Sequence, residues 1–219
     1  MVDFIRGQLI SIALIIFILG LIFQLIQFFR LTKKKEWVYP PLEIKSENKS
    51  AGQWVAFCFG CLKGTLWKTD PLVTIVTSVF HVFLIGVPIF LLGHNILLDQ
   101  SWGLSLWSLP ESMTDIFTLV VLICLAFFLA RRLFLARVRA ITTLYDYVIL
   151  LIVGAPFLTG YFAYHQWFHY DTVMTIHILA GEVMLITIPF TKLGHMLFFF
   201  LYRFLVGNEY SFAKGARAW

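Results

Sequence analysis

The stretch TVMTIHILAGEVMLITIPFTKLGHMLFFFLY, residues 172–202, decides how this chain is read. It is long enough to cross a hydrocarbon layer of about 30 Å as a helix. It shows no period-2 alternation of the kind a membrane barrel strand requires. Within this apolar run stand two histidines, His177 and His195, one carboxylate, Glu182, and one lysine, Lys192. Polar groups of this kind are costly in lipid, so each is a functional candidate.

Working outward, four more runs have the same character: 8–29, 71–98, 113–133 and 141–164. The whole chain of 219 residues is 60% hydrophobic and 13% charged, against roughly 45–50% and roughly 25% in soluble domains. That excludes a water-soluble globule and leaves little chain for a separate catalytic domain. The expected fold is all-α, a polytopic membrane bundle of five transmembrane helices. The first run is followed by RLTKKK and lacks a small-residue cleavage site, so it reads as a retained helix rather than a signal peptide.

The cations give the bundle an orientation. Residues Arg30, Lys33, Lys34, Lys35, Lys45, Lys49, Lys63 and Lys68 fall between the first two runs, and Arg131, Arg132, Arg137 and Arg139 between the third and fourth. With Lys192, Arg203, Lys214 and Arg217, sixteen of the seventeen basic residues lie on one side, and loops 99–112 and 165–171 carry none. The positive-inside rule then places the N-terminus outside and the C-terminus in the cytoplasm; the expected location is a prokaryotic plasma (inner) membrane. Trp37, Trp54 and Trp67 fall on the inner side, and Trp102, Trp107, Trp167 and Tyr170 on the outer, as interface belts require. This one-sided distribution also accounts for the net charge of +5 without nucleic acid.

The chain divides into a first helix (1–30), a cytoplasmic loop with a short interfacial helix (31–70), a four-helix core (71–203) and a cytoplasmic tail (204–219). Cys58 and Cys61 lie in that loop. They lack the following histidine of c-type haem attachment and do not complete a zinc site, so they read as ordinary interfacial cysteines.

Four of the six histidines lie inside runs, and only two runs hold them. On antiparallel helices His94 falls level with His177 near the outer face, and His81 level with His195 near the inner face. Two facing His–His pairs are the arrangement that holds two haems by both axial positions. His177 and His195 are 18 residues apart, five turns, and so share one helix face, whereas His81 and His94 stand about 140° apart on an ideal helix. Pro88, between them, is placed to kink or rewind that helix. Gly86, Gly93, Gly181 and Gly194 stand beside the ligands and provide walls without side chains for a flat macrocycle, or simply close helix packing.

The run RRLFLARVRAITTLYD at 131–146 and PFTKLGH at 189–195, with His177 eighteen residues before His195, resemble the dihaem cytochrome b subunit of respiratory nitrate reductase, its gamma chain. Related subunits occur in heterodisulfide reductase and in the transmembrane redox complexes of sulfate reducers. The resemblance covers roughly residues 75–200. It implies two b-type haems, with His94 and His177 as outer and His81 and His195 as inner axial ligands.

It further implies an electron-transfer subunit of an oxidoreductase complex, not a complete enzyme alone. Such a subunit exchanges electrons between a menaquinone-type quinone and a cytoplasmic iron–sulfur or heterodisulfide-reductase-like subunit on the basic face. The nitrate reductase subunit has a shorter His–His separation on its second span and a lysine near its quinol pocket. This chain instead reads SLPESMTDIF there, with Glu111 and Asp115. These departures favour the heterodisulfide-reductase-like and sulfate-reducer branches.

Further expectations concern single groups. Asp146 is expected to pair with the loop of Arg137 and Arg139. Arg131, Arg132, Arg137 and Arg139 are candidates to clamp haem propionates or to act as positive-inside anchors. Glu182 and Asp115 are proton or quinone candidates. Two alternatives stand beside the quinone reading. One is a conduit from a periplasmic multihaem cytochrome c; the other is a small transporter or channel with a His/Glu proton relay.

Overall fold

The structure is a computed structural model and describes residues 4–31, 52, 70–196, 198 and 199. Seven α-helices and no strand are present among the described residues. Helix α1 spans Ile10–Leu31 after one wide turn, Phe4–Leu9; α2 is Pro71–Phe90 and α3 Leu92–Trp102. Then come α4 (Glu111–Phe134), the one-turn α5 (Ala136–Arg139), α6 (Leu144–Tyr164) and α7 (Tyr170–Thr187). Two 3₁₀ turns, Ile188–Phe190 and Lys192–Gly194, close the described chain before His195. Five helical segments are long and apolar enough to cross a membrane: Gly7–Arg30, Pro71–Phe90, Glu111–Phe134, Leu144–Tyr164 and Tyr170–Phe190. The interfacial helix expected within 31–70, the Cys58/Cys61 pair, Trp37, Trp54, Trp67 and the tail lie outside the described residues.

Helix boundaries follow local chemistry. Asp70 caps α2, its carboxylate accepting from the Val73 amide at 3.3 Å, and Pro71 occupies the first turn, where no amide donor is needed. Helix α3 ends on Gly103, whose φ of +66° is the left-handed geometry of a helix C-cap; its amide closes on Asp99 O at 2.8 Å. Asp146 accepts from the Thr143 amide at 2.9 Å and starts α6.

Two of the expected spans are interrupted. Residues 71–98 were expected as one helix, but α2 stops at Phe90, Leu91 is extended (ψ 129°), and α3 restarts at Leu92. Pro88 lies in the last turn before this break. The run 172–202 was likewise expected to be continuous, but α7 ends at Thr187 and gives way to 3₁₀ turns around Pro189, with Thr191 extended. A proline has no amide to donate and crowds the carbonyl one turn back. The five-turn argument for a shared face of His177 and His195 therefore fails, because no unbroken helix joins them.

Close packing runs in the order α2, α4, α6, α7, α1, and the two histidine-carrying helices α2 and α7 are not among the closely packed pairs. The central cluster joins Phe80, Leu84 and Val87 of α2 to Val121, Cys124 and Leu125 of α4 and to Val153 and Phe157 of α6. The three α2 residues are spaced i, i+4, i+7, one helix stripe. This stripe faces α4, and His81, next to Phe80, is turned about 100° away from it. Many apolar side chains remain outside this core, Ile123 at 66% and Leu151 at 70% exposure among them, as lipid-facing positions require.

Each end of the bundle carries its own polar contacts. At one end Asp70 binds Arg131 (3.2 Å) and Arg137 (3.5 Å), and Asp146 binds Lys192 (3.0 Å) and lies 4.0 Å from Arg132. At the other His165 meets Asp115 at 3.0 Å. These pairs bring the start of α2, both ends of the α4–α6 connection and Lys192 to one level, the antiparallel arrangement expected from the cation distribution. Asp146 meets the α4–α6 connection as expected, through Thr143 and, at 4.0 Å, Arg132, but not through Arg137 or Arg139. Asp146 turns one oxygen back to Thr143 and the other to Lys192, while Arg137 reaches Asp70 instead.

Candidate functional site

The four histidines of the two expected spans meet in two pairs, although only His81 and His177 fall within the segments Pro71–Phe90 and Tyr170–Phe190. The His94 and His177 rings lie 6.0 Å apart between centroids, with planes 16° from parallel. The His81 and His195 rings lie 5.8 Å apart, with planes crossing at 81°. These are the pairs expected from depth, and two helix breaks make them possible. On a continuous helix His94 would point away from the side His81 uses, whereas on α3, restarted after Leu91, it reaches His177.

Every ring in these pairs has the same second contact. The Nδ1–H groups of His81, His94 and His177 donate to the carbonyls of Thr77 (2.7 Å), Pro88 (2.9 Å) and Pro156 (2.9 Å), and that of His195 donates to the Lys192 carbonyl. A carbonyl can only accept, so Nδ1 must carry the proton in all four. In the neutral ring this leaves the Nε2 lone pair free, and among the described residues no Nε2 of the four has a hydrogen-bond partner. Metal-ligating histidines are held in this way, with the outer nitrogen on a carbonyl or carboxylate. The loop histidines differ: His165 uses Nε2 on Asp115, and His169 pairs through Nδ1 with the Thr172 hydroxyl.

Backbone features make these carbonyls available. The carbonyl of Pro88 lies at the end of α2, where the break removes its helical donor, and His94 takes that place. Gly160 lies one turn after Pro156 and opens the path to its carbonyl. A methyl group on Gly160 would lie 2.9 Å from His177 Cε1 and 3.2 Å from Nδ1. Thr159 Oγ1 is 3.4 Å from the same Nδ1. Asn95, next to His94 and 3% exposed, donates to Ser108 Oγ at 2.8 Å and ties α3 to the loop that follows it. The Leu109 amide closes on Phe90 O at 2.9 Å, across the broken helix end.

Gly160 and Asn95 were not among the sequence candidates. Their signal was weak: one glycine among fourteen, and one amide beside a histidine.

Of the glycines singled out, Gly86, Gly93 and Gly181 have no protein atom within 4 Å of where a Cβ would sit. Gly194 is different; a Cβ there would meet the Ile188 carbonyl at 3.3 Å, so it serves packing of the 3₁₀ turns. Glu182 is 5% exposed, and neither carboxylate oxygen has a hydrogen-bond partner among the described residues. Five residues beyond His177, it is about 140° around α7 from the histidine face, whereas Gly181 is only about 40° away. Asp115 is engaged by His165, Arg131 and Arg137 by Asp70, and Arg139 is exposed. A cavity of about 410 Å³ opens between α6 and α7 beside the outer pair, lined by Thr159, Phe162, Phe168, Thr172, Val173 and Ile176, with His169 at its mouth.

Among the described residues no group of three or more His, Cys, Asp or Glu could hold a metal ion. Each pair offers two imidazole nitrogens to a bound group. Two metal–imidazole bonds of about 2.0–2.1 Å, the length zinc makes, leave ring centroids roughly 6 Å apart. The observed 6.0 and 5.8 Å fit.

No protein-family model and no solved structure matches this chain. A protein of Nitratidesulfovibrio vulgaris, whose name states no activity, is 36% identical over 223 residues, covering 98% of this chain and 96% of its own length. The two sequences thus correspond almost from end to end, and the chain belongs to the same family as that Nitratidesulfovibrio vulgaris protein.

Proposed function

We propose that this chain is a membrane cytochrome b with two bis-histidine haem sites. It would exchange electrons between a quinone of the menaquinone type and an iron–sulfur or heterodisulfide-reductase-like partner on the basic face. The observation that carries the reading is the identical seating of four histidines: paired 6.0 and 5.8 Å apart, each with Nδ1 on a backbone carbonyl and Nε2 free. When bound, haem supplies the one-electron chemistry.

The protein's own residues then have four tasks. The carbonyls of Thr77, Pro88, Pro156 and Lys192 fix ring orientation and raise the basicity of the facing nitrogen. Gly181, about 40° around α7 from His177, and Gly93, next to His94, leave open space where a Cβ would sit. The cavity next to His177 has the size and apolar lining of a small-molecule site and supports quinone access at the outer pair. On the other side Arg139 is exposed, and Arg137 and Lys192 stay 73% and 62% exposed although each is paired with an aspartate, so positive charge remains accessible to steer an acidic partner surface.

A proton relay through the histidines and Glu182 is less well supported. Among the described residues no hydrogen bond links any of the four histidines to Glu182 or to one another, and Glu182 lies off their face.

The test is a haem count and a dithionite-reduced minus oxidised spectrum of the full chain purified from membranes. Two b-type haems per chain are expected, and a short-chain menaquinol analogue should reduce them. A chain that carries no chromophore after expression in a haem-replete host overturns the reading.

A further inference from the structure

Helix α1 holds no candidate ligand, yet it grips the break in the last span. The Gln24 amide donates to the Pro189 carbonyl at 2.8 Å. One turn earlier, Gly20 is buried against the same residue; a methyl group there would lie 2.6 Å from Pro189 Cγ, 2.8 Å from Pro189 Cβ and 3.1 Å from Phe190 Cζ. Gly20 and Gln24 are thus the bare spot and the donor that seat this turn, and α1 packs both along α7 and against the turn itself.

The seated turn has a direct consequence for the inner pair. After Pro189 the chain is extended at Thr191, makes the Lys192–Gly194 turn and presents His195. That turn supplies the carbonyl that accepts from His195, sends Lys192 to Asp146, and packs Leu193 and Met196 on the Phe80/Leu84 cluster beside His81. A polar amide facing lipid or an apolar neighbour would be costly at this depth, so Gln24 requires a partner such as the one it has.

We propose that Gln24, with Gly20 providing the space, is a positioning residue for His195 and therefore for the inner histidine pair. The inference rests on the reading of that pair as haem ligands, and its consequence is selectivity. Removing the Gln24 contact alters the turn that presents His195 and leaves the outer pair, held at Pro88 and Pro156, in place.

The experiment uses the full chain with Gln24→Leu, and with Gln24→Met as an unbranched replacement of similar length. It has two arms. In the first, each haem's midpoint potential and low-spin electron paramagnetic resonance signal are followed. The variants should shift or broaden only the inner site's signal and weaken its haem retention about 10–100-fold, the range for removing supporting contacts around a metal site. In the second, amide hydrogen exchange at 188–196 is compared with that of α6. It should accelerate at least tenfold in the variants, whether or not haem is present.

Unchanged inner potential together with unchanged exchange overturns the inference, as does an equal loss at both sites. A wild-type chain without haem whose exchange at 188–196 still rises in the variants upholds the positioning of His195 and overturns the haem reading alone.

Discussion

Replacing Gly160 by alanine puts a methyl carbon 2.9 Å from His177 Cε1 and 3.2 Å from Nδ1. Ordinary carbon contacts sit at about 3.5–4.0 Å, so the imidazole must retreat by about 0.6–1 Å. Its bond to Pro156 O, now 2.9 Å, then stretches to roughly 3.5–3.9 Å, past the useful range. Overpacking of this kind costs about 1–3 kcal/mol of stability. The lost orientation of a metal ligand costs about 10–100-fold in affinity, about 1.4–2.8 kcal/mol. Titrating haem into the purified apo-chain, with reduced-minus-oxidised spectra resolving the two sites, should show weakened outer binding and an unaltered inner site. An outer site that binds and titrates as in the wild type, in a variant of otherwise normal fold, would refute the argument that Gly160 exists to admit His177.

Gly181→Ala adds a methyl group that meets no neighbouring protein atom within 4 Å. Haem content should fall while the thermal stability of the haem-free chain stays within about 0.5 kcal/mol, whereas Gly194→Ala should destabilise both forms. The ring planes, 16° apart in the outer pair and 81° in the inner, should give two different low-spin signals. Crossed axial imidazoles bring two iron d orbitals close in energy and make the signal highly anisotropic, and parallel ones make it rhombic; two identical rhombic signals would contradict the geometry. Asp146→Asn removes the charge that holds Thr143 and Lys192 together at the start of α6. A loss of about 1–2 kcal/mol in detergent unfolding is expected, smaller than for a fully buried pair because Lys192 is largely exposed.

The fold class was legible because lipid imposes a simple rule: every backbone polar group must be satisfied within its own segment, so length and apolarity reveal each span. The two histidine pairings were legible for a related reason. Depth is linear in residue number, and short loops make successive spans antiparallel, so His94 falls level with His177 and His81 with His195. Glu182 shows the limit of depth alone. Its level could be read, but its face, about 140° from the histidines, places it apart from them.

What only the tertiary structure decided lies at the two breaks and the surfaces that hold them. Pro88 and Pro189 mark where a helix can fail, but whether it kinks, rewinds or stops depends on what fills the freed carbonyls. Here the His94 imidazole fills one and the Gln24 amide of a helix more than a hundred and sixty residues away in sequence fills the other. The bare backbone at Gly160 and Gly20 matters only because His177 and Pro189 arrive opposite it. Hydropathy reports the transfer of a residue into lipid one position at a time, whereas orientation of a ligand ring is set by contacts between distant segments, and those exist only once the helices have packed.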